Sequence, residues 1–353
     1  MKASEPLRAG IIGCGRLAQR WHIPPLLKMK GVRMVAVCDT NENLAKQTAD
    51  RFRINRYYAD LYEMLKKENL DMVDISTPPS THFSLSIQAI EAGCHVLVEK
   101  PFAMSTKEAD EIIRASEENE VKLCVVHNKL FQPMVMRATS ITNMGAIGHL
   151  TGIDIVDAWP KENVDFMNKD HWYHKLPGGV LGEILPHPIY LAMSFLGKLE
   201  PVAVYARKLC SYEWVAADEL RVILEGKRGT GMLTASCNWP KGGSTLDVLG
   251  TEKNLHVDLH TGVLTKFGAG GESRPWRALD NLSQGYQLFT CTTSAALNTL
   301  LGRQHSGHHT LIQKFVESII NDTEPPVTGE EGKEVVRVLE RITAQMTSGP
   351  GSD

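Results

Sequence analysis

Gly13-Cys14-Gly15-Arg16-Leu17-Ala18 follows an apolar run, Ala9 to Ile12, and opens a stretch of helical patterning. A Gly-x-Gly-x-x-Gly/Ala turn in that setting suits a pyrophosphate. The first glycine makes the tight turn, the second lets the main chain approach, and the small last residue keeps helix and strand close. Unpaired N–H groups and the helix dipole then stabilise the anion without a lysine. Asp39 closes the next apolar run, 21 residues beyond Ala18, where a carboxylate meets the hydroxyls of an adenosine ribose. A carboxylate accepts those hydroxyls and repels a 2′-phosphate, and no arginine follows in Thr40-Asn41-Glu42-Asn43. The expected cofactor is therefore NAD rather than NADP. A plain glycine turn followed by an acidic turn residue would show the same letters, so these residues alone leave a non-nucleotide protein open.

Three more polar stretches end apolar runs: Ser76-Thr77-Pro78 leading to His82, Glu99-Lys100-Pro101, and His127-Asn128-Lys129. In an open α/β sheet ligands gather at the carboxyl ends of the strands, so all three are expected to face the cofactor. Further on, Glu183 and His187 stand four apart and would share one helix face. Trp172 and His174 sit in His171-Trp172-Tyr173-His174-Lys175, a stretch suited to polyols because aromatic faces take C–H surfaces and imidazoles take hydroxyls. A solvated loop around one buried tryptophan is the plainer reading of that stretch.

The elements that must position these groups change character near residue 126. Ala9–Ile12, Arg33–Cys38, Met72–Ile75, His95–Val98 and Lys122–Val126 are near-continuous apolar runs, as expected of parallel strands buried on both faces. Helical segments lie between them, including Ser80 to Ala92 and one begun by the capping box Ser105-x-x-Glu108. Residues 1–126 are thus expected to form one domain and residues 127–353 another. In the second, a helix over Phe131–Met144 leads to period-two strands such as Leu220-x-Val222-x-Leu224 and Leu255-x-Val257-x-Leu259, which predict antiparallel pairing. Thr310–Ile320 is helical in period, and Thr328 with Glu331 forms a second capping box. The tail from Thr347 to Asp353 is expected to fray.

Together the glycine turn, Glu99-Lys100-Pro101, Gly178-Gly179 with Glu183-x-x-x-His187, and the ending Gly307-His308-His309 to Glu324-Pro325-Pro326 resemble the Gfo/Idh/MocA oxidoreductases, which include glucose-fructose oxidoreductase and inositol dehydrogenase-like enzymes. The resemblance covers nearly the whole chain. It implies an N-terminal Rossmann domain and a C-terminal α+β domain with an open, mostly antiparallel sheet. It also implies a substrate cleft at the nicotinamide and a homodimer or homotetramer formed through that sheet. Carried over residue by residue, it assigns catalysis to Lys100, Glu183 and His187, with Glu183 standing where most relatives have aspartate. His187 would move the proton, Lys100 would stabilise alkoxide character, and Glu183 would orient the substrate hydroxyl or pair with Lys100. Gly13, Cys14, Gly15, Arg16, Leu17, Asp39, Ser76, Thr77, Pro78, His82, Glu99, Lys100 and Asn128 would line the cofactor. Lys129, Trp172 and His174 would contact a sugar, cyclitol or similar secondary alcohol. A lyase or glycosidase that oxidises its substrate transiently, and a noncatalytic dinucleotide sensor, remain alternatives. The isomer of the Lys100–Pro101 bond stays open.

Composition narrows the partners. Of 353 residues 42 % are hydrophobic and 22 % charged, close to the globular average, and 38 basic against 41 acidic residues leave a net charge of −3. Neither nucleic acid nor an anionic membrane is an expected partner. No apolar run is long enough to span a bilayer, and the polar start lacks a signal-peptide core, so a cytoplasmic location is expected. The 7 cysteines contain no Cys-x-x-Cys pair and read as reduced thiols. The histidines, including His256, His260, His305, His308 and His309, form no set of clustered ligands in sequence, and no metal is expected.

Overall fold

The computed structural model describes residues 5–268, 273–300 and 306–346, so His305 and the expected frayed tail lie outside the described residues. The chain separates into two units, Met1–Asn128 with His305–Arg337, and Lys129–Gln304 with Val338–Asp353.

The first unit is built on six parallel strands: β1 (Leu7–Ile12), β2 (Val32–Cys38), β3 (Arg56–Tyr58), β4 (Met72–Ile75), β5 (His95–Val98) and β6 (Leu123–Val125). Their spatial order is β3-β2-β1-β4-β5-β6, the doubly wound arrangement. Winding reverses between β1 and β4, and the carboxyl ends of these two strands meet at Gly13 and Ser76. There the Gly13 N–H donates to Cys38 O and the Ser76 N–H to Ile12 O, each at 2.8 Å. The apolar runs become strands because helices cover both faces, so alternate polar residues would have nowhere to go. Strand β3 escapes sequence reading: it has three residues, and two are exposed.

The chain between β1 and β2 is helical from residue 16 to 28, with a π-type stretch over Ala18–His22 ahead of the α-helix Ile23–Lys28. Pro24 and Pro25 explain this. Neither has an N–H to return to the preceding turn, and the Ile23 N–H reaches back five residues to Ala18 O.

His305–Arg337 packs with the first unit although residue 127 onward reads as one domain in sequence. The helix Gly307–Ile320, whose Ser306 Oγ accepts the His309 N–H at 3.2 Å, buries Leu311, Ile312, Phe315 and Val316. It lies beside Ile23–Lys28. Nothing local in that amphipathic pattern says which sheet it covers. Thr328 and Glu331 form the expected reciprocal box at 3.2 and 2.8 Å.

The second unit carries seven strands: β7 (Leu150–Pro160), β8 (Leu199–Arg207), β9 (Glu219–Gly226), β10 (Gly229–Trp239), β11 (Gly243–Gly250), β12 (Asn254–Asp258) and β13 (Val263–Phe267). Their order is β13-β12-β11-β7-β10-β9-β8. All neighbours are antiparallel except β7 and β10, so the sheet is mixed but mostly antiparallel. The helix Pro186–Leu196 packs against β7, β8 and β10. Leu220, Val222 and Leu224 are buried, whereas Arg221, Ile223 and Glu225 are exposed, as their alternation requires.

Gly13 sits at φ +94°, and a Cβ placed there would come within 2.7 Å of Ser76 O. Gly13→Ala is therefore expected to cost on the order of 1–3 kcal/mol from backbone strain alone. A thermal melt unchanged from wild type would refute this.

Candidate functional site

The glycine turn and Asp39 are physically joined. Asp39 Oδ2 accepts the Cys14 N–H at 2.8 Å and Oδ1 accepts the Asn41 N–H at 2.9 Å, so the carboxylate ties the end of β2 to the turn after β1. Each oxygen has a second lone pair suited to a ribose hydroxyl. A Cβ built on Gly15 would meet no atom within 4 Å, so the turn is open where a phosphate would approach, while Arg16 and Leu17 are exposed beside it. These features fit the expected dinucleotide: a bonded acceptor for a diol, and a helix start that follows an uncrowded glycine.

Under the same sheet edge lies a charged cluster that sequence reading missed. His22 is fully buried, with Nδ1 at 2.8 Å from Asp74 Oδ2 and Nε2 at 3.0 Å from Glu99 Oε1. Burial alone would lower the pKa of His22, but Asp74 and Glu99 outweigh it and raise it to about 10. Burial pushes Glu99 up, but the hydrogen bond from His22 and the nearby His308 imidazole outweigh it and hold Glu99 well below the usual carboxylate range. Burial lowers His127 to about 3 despite the nearby Glu99 charge, and lowers His308 as well. Among the described residues, His22, Glu99 and His308 are the group whose ligand atoms, within 4.8 Å of one another, are near enough to share a metal ion. Asp74 inside an otherwise apolar strand was the available signal, because an acid buried on both faces needs a partner.

The remaining strand-end residues divide by role. Ser76, Thr77 and Pro78 are partly or fully exposed at the end of β4, with the Ser76 hydroxyl donating to Asp74 Oδ1 at 3.1 Å. His82 is buried, and its ring nitrogens lie 2.8 Å from Pro101 O and 2.9 Å from Thr77 O. It therefore joins the loops after β4 and β5, and both nitrogens already face main-chain carbonyls. Lys100 is half-buried, its N–H donates to Glu99 Oε2 at 3.0 Å, and the Lys100–Pro101 bond is cis. Asn128 Nδ2 lies 3.4 Å from His308 Nδ1.

In the second unit, Glu183 lies near the end of one short helix, Val180–Ile184, and His187 in the first turn of the next, Pro186–Leu196. Pro186 takes the first position of the second helix, where its missing N–H costs nothing. From Val180 to Ala192 every residue is buried except these two, which are half-buried, and Glu183 Oε2 is itself enclosed. Tyr190, one turn on, was not foreseen: its hydroxyl lies 2.8 Å from His187 Nδ1 and accepts the Lys129 N–H at 3.1 Å. Lys129 Nζ is paired with Asp157 and donates to Ser244 Oγ at 3.1 Å, so its charge is neutralised within the unit. Trp172 and His174 belong to a 3₁₀ turn, Trp172–Lys175, and Trp172 packs edge-on against Tyr173 at 5.5 Å. His174 Nε2 bonds Phe166 O at 3.1 Å.

Comparison with known proteins agrees with both units. A family model described as an oxidoreductase family, NAD-binding Rossmann fold, matches residues 7–127, and the same family's C-terminal alpha/beta domain matches residues 145–351. An oxidoreductase P35 of Formosa agariphila is 27 % identical over 198 residues, 55 % of this chain and 61 % of that protein. A D-apiose dehydrogenase of Paraburkholderia graminis is 33 % identical over 141 residues, 40 % of this chain and 37 % of that one. The matched stretches thus span less than two thirds of these relatives. The WlbA dehydrogenase of Bordetella pertussis, solved in complex with NADH and UDP-GlcNAcA, shares the fold at a TM-score of 0.79 and 20 % identity, over 99 % of this chain and 98 % of that chain.

The buried His22 has a pH signature. Its folded pKa of about 10 lies above its ordinary 6.5, so its stabilisation is fully present below pH 6.5 and is lost as pH rises toward 10. The urea midpoint of the wild type should fall across that interval. His22→Gln should lose on the order of 3–5 kcal/mol at pH 6.5 and show a flatter profile, and parallel profiles would contradict the assignment.

Proposed function

The chain belongs to the Gfo/Idh/MocA oxidoreductase family, and on that premise we propose that it is an NAD-dependent dehydrogenase acting on a sugar, cyclitol or sugar derivative. It would move a hydride between the nicotinamide and a secondary alcohol or ketone. The observation that carries this reading is the Asp39 carboxylate bonded to the Cys14 N–H at the winding reversal, a ready diol acceptor beside an open glycine turn. Bound NAD supplies the hydride acceptor, which protein side chains lack. His187 takes the proton from the substrate hydroxyl, and Tyr190 on its Nδ1 directs that exchange to Nε2. Lys100 stabilises negative charge developing on the same oxygen, and Glu183 orients the hydroxyl. The sugar class is supported by the similarity to a D-apiose dehydrogenase. Trp172 is the candidate face for sugar C–H groups.

The proposal extends to assembly and location. On the sheet face away from Pro186–Leu196, Ala203, Ile223 and Met232 stand side by side on β8, β9 and β10, and Tyr205 is exposed two residues along. That apolar patch is the surface proposed for a homodimer or homotetramer. Cys14, Cys38, Cys94, Cys124 and Cys237 are buried free thiols, and no helix among the described residues is long and apolar enough to cross a membrane. Both fit a cytoplasmic enzyme.

Two experiments test this reading. Purified protein with NAD and a panel of sugars, cyclitols, sugar acids and nucleotide sugars should produce NADH with at least one of them. Lys100→Met and His187→Asn should then reduce kcat by about 10²–10⁴-fold while still binding NADH. NADH should bind more tightly than NADPH, and product formed without net NADH would favour the lyase or glycosidase alternative instead. In light scattering, Ile223→Lys should lower the assembly mass, and an unchanged mass would remove this face as the interface.

A further inference from the structure

Two distant stretches of the first unit, and the main chain of the next residue, converge on the Glu99 carboxylate. Oε1 lies 3.0 Å from His22 Nε2 and 3.7 Å from His308 Nε2, and Oε2 accepts the Lys100 N–H at 3.0 Å. His308 arrives from the start of Gly307–Ile320 and is held on its other sides. Trp21 stacks on it with ring centroids 5.6 Å apart and planes 13° apart, and Asn128 Nδ2 donates to its Nδ1 at 3.4 Å. With Nδ1 accepting, the neutral imidazole carries its proton on Nε2, the nitrogen turned toward Glu99. Burial favours that neutral form. The carboxylate thus hydrogen-bonds an imidazolium on one side and meets the N–H of a neutral imidazole at a longer 3.7 Å on the other, and its second oxygen accepts the Lys100 N–H.

We propose that His308 is a positioning residue for Lys100, acting through Glu99. The return segment that carries His308 would then complete the first unit's strand-end constellation as well as cover its sheet. Removing the imidazole takes away a polar contact at 3.7 Å from Oε1, and the carboxylate can swing toward His22. The Lys100 N–H then loses its Glu99 acceptor, and the main chain that carries the lysine, next to Pro101, loses one of its anchors. The same three side chains are close enough for a metal, but His22 already has a carboxylate on each nitrogen, an arrangement that calls for a proton on both. The turnover consequence rests on the catalytic reading of Lys100, whereas the placement of the lysine does not.

The test separates the two. Lysines are reductively methylated with 13C, and the Lys100 resonance is assigned by its loss in Lys100→Arg. Spectra are then compared for the wild type, His308→Ala, His308→Gln and Glu99→Gln, each checked for folding by circular dichroism. The Lys100 signal should move toward those of solvent-exposed lysines in His308→Ala and Glu99→Gln, and return in His308→Gln, whose amide can still donate. With a substrate found in the panel, kcat of His308→Ala should fall about 10²-fold with KM essentially unchanged, as expected when a reacting group is misplaced rather than removed. If His308→Ala does not fold, His308→Phe, which keeps the stacking on Trp21 but has no N–H, replaces it with the same expectation. An unmoved Lys100 signal in both the His308 and Glu99 variants would overturn the proposal. So would about one equivalent of zinc or manganese per chain that His308→Ala abolishes, since a metal would then hold Glu99. Lys100→Met with full turnover would instead end the catalytic reading of Lys100, and the spectra would still decide the positioning.

Discussion

Two carboxylates, Asp74 and Glu99, are buried beneath the carboxyl edge of the parallel sheet, and a protonated His22 between them makes that tolerable. An isolated carboxylate in such a place would be neutralised by protonation, and only a well-bonded counter-charge keeps it ionised. Much of the first unit is organised around supplying that counter-charge. The π-type stretch ahead of Pro24 and Pro25 carries His22 into the interior while Trp21, the residue before it, remains half-buried to stack on His308. Strand β4 holds Asp74 beside β1, and Glu99 directly follows β5, its second oxygen accepting the Lys100 N–H.

The outer layer of the same edge is arranged differently. Gly13, Asp39 and the Ser76–Thr77 loop rely on main-chain geometry and partly exposed polar groups, which suits a ligand that comes and goes. Beneath them, bonds between charged groups are short and shielded, so their energies are large and their positions firm. A rigid lower layer under an open upper one is the arrangement expected where reacting groups must be held while ligands exchange. In the second unit the same division recurs on a smaller scale. Glu183 and His187 flank the junction of two buried helices, and Tyr190, itself bonded by the Lys129 N–H, holds the imidazole.

Much of this was readable in advance. The five apolar runs became parallel strands, the Thr328 and Glu331 box formed as its spacing required, and Asp39 met the glycine turn across β1 and β2. Ser105 also caps its helix at 3.2 Å, although Glu108 bonds the Met104 N–H rather than that of Ser105. What escaped was of two kinds. Strand β3 is short and exposed, so it leaves no apolar trace. His22, Asp74, His308 and Tyr190 each look ordinary in their local context, and their meaning lies in partners far along the chain.

Sequence by itself determined the elements and the turn chemistry, because periodicity, caps and glycine turns act over a few residues and leave their mark in adjacent letters. It also determined the family, through motifs spread along both units. Only the tertiary structure decided which polar groups share a charge. His22 meets Asp74 across 52 positions and Glu99 across 77, and the return segment delivers His308 to the same carboxylate. Such meetings depend on which strands lie side by side and which helix covers them, a matter of packing among distant elements that no local pattern encodes.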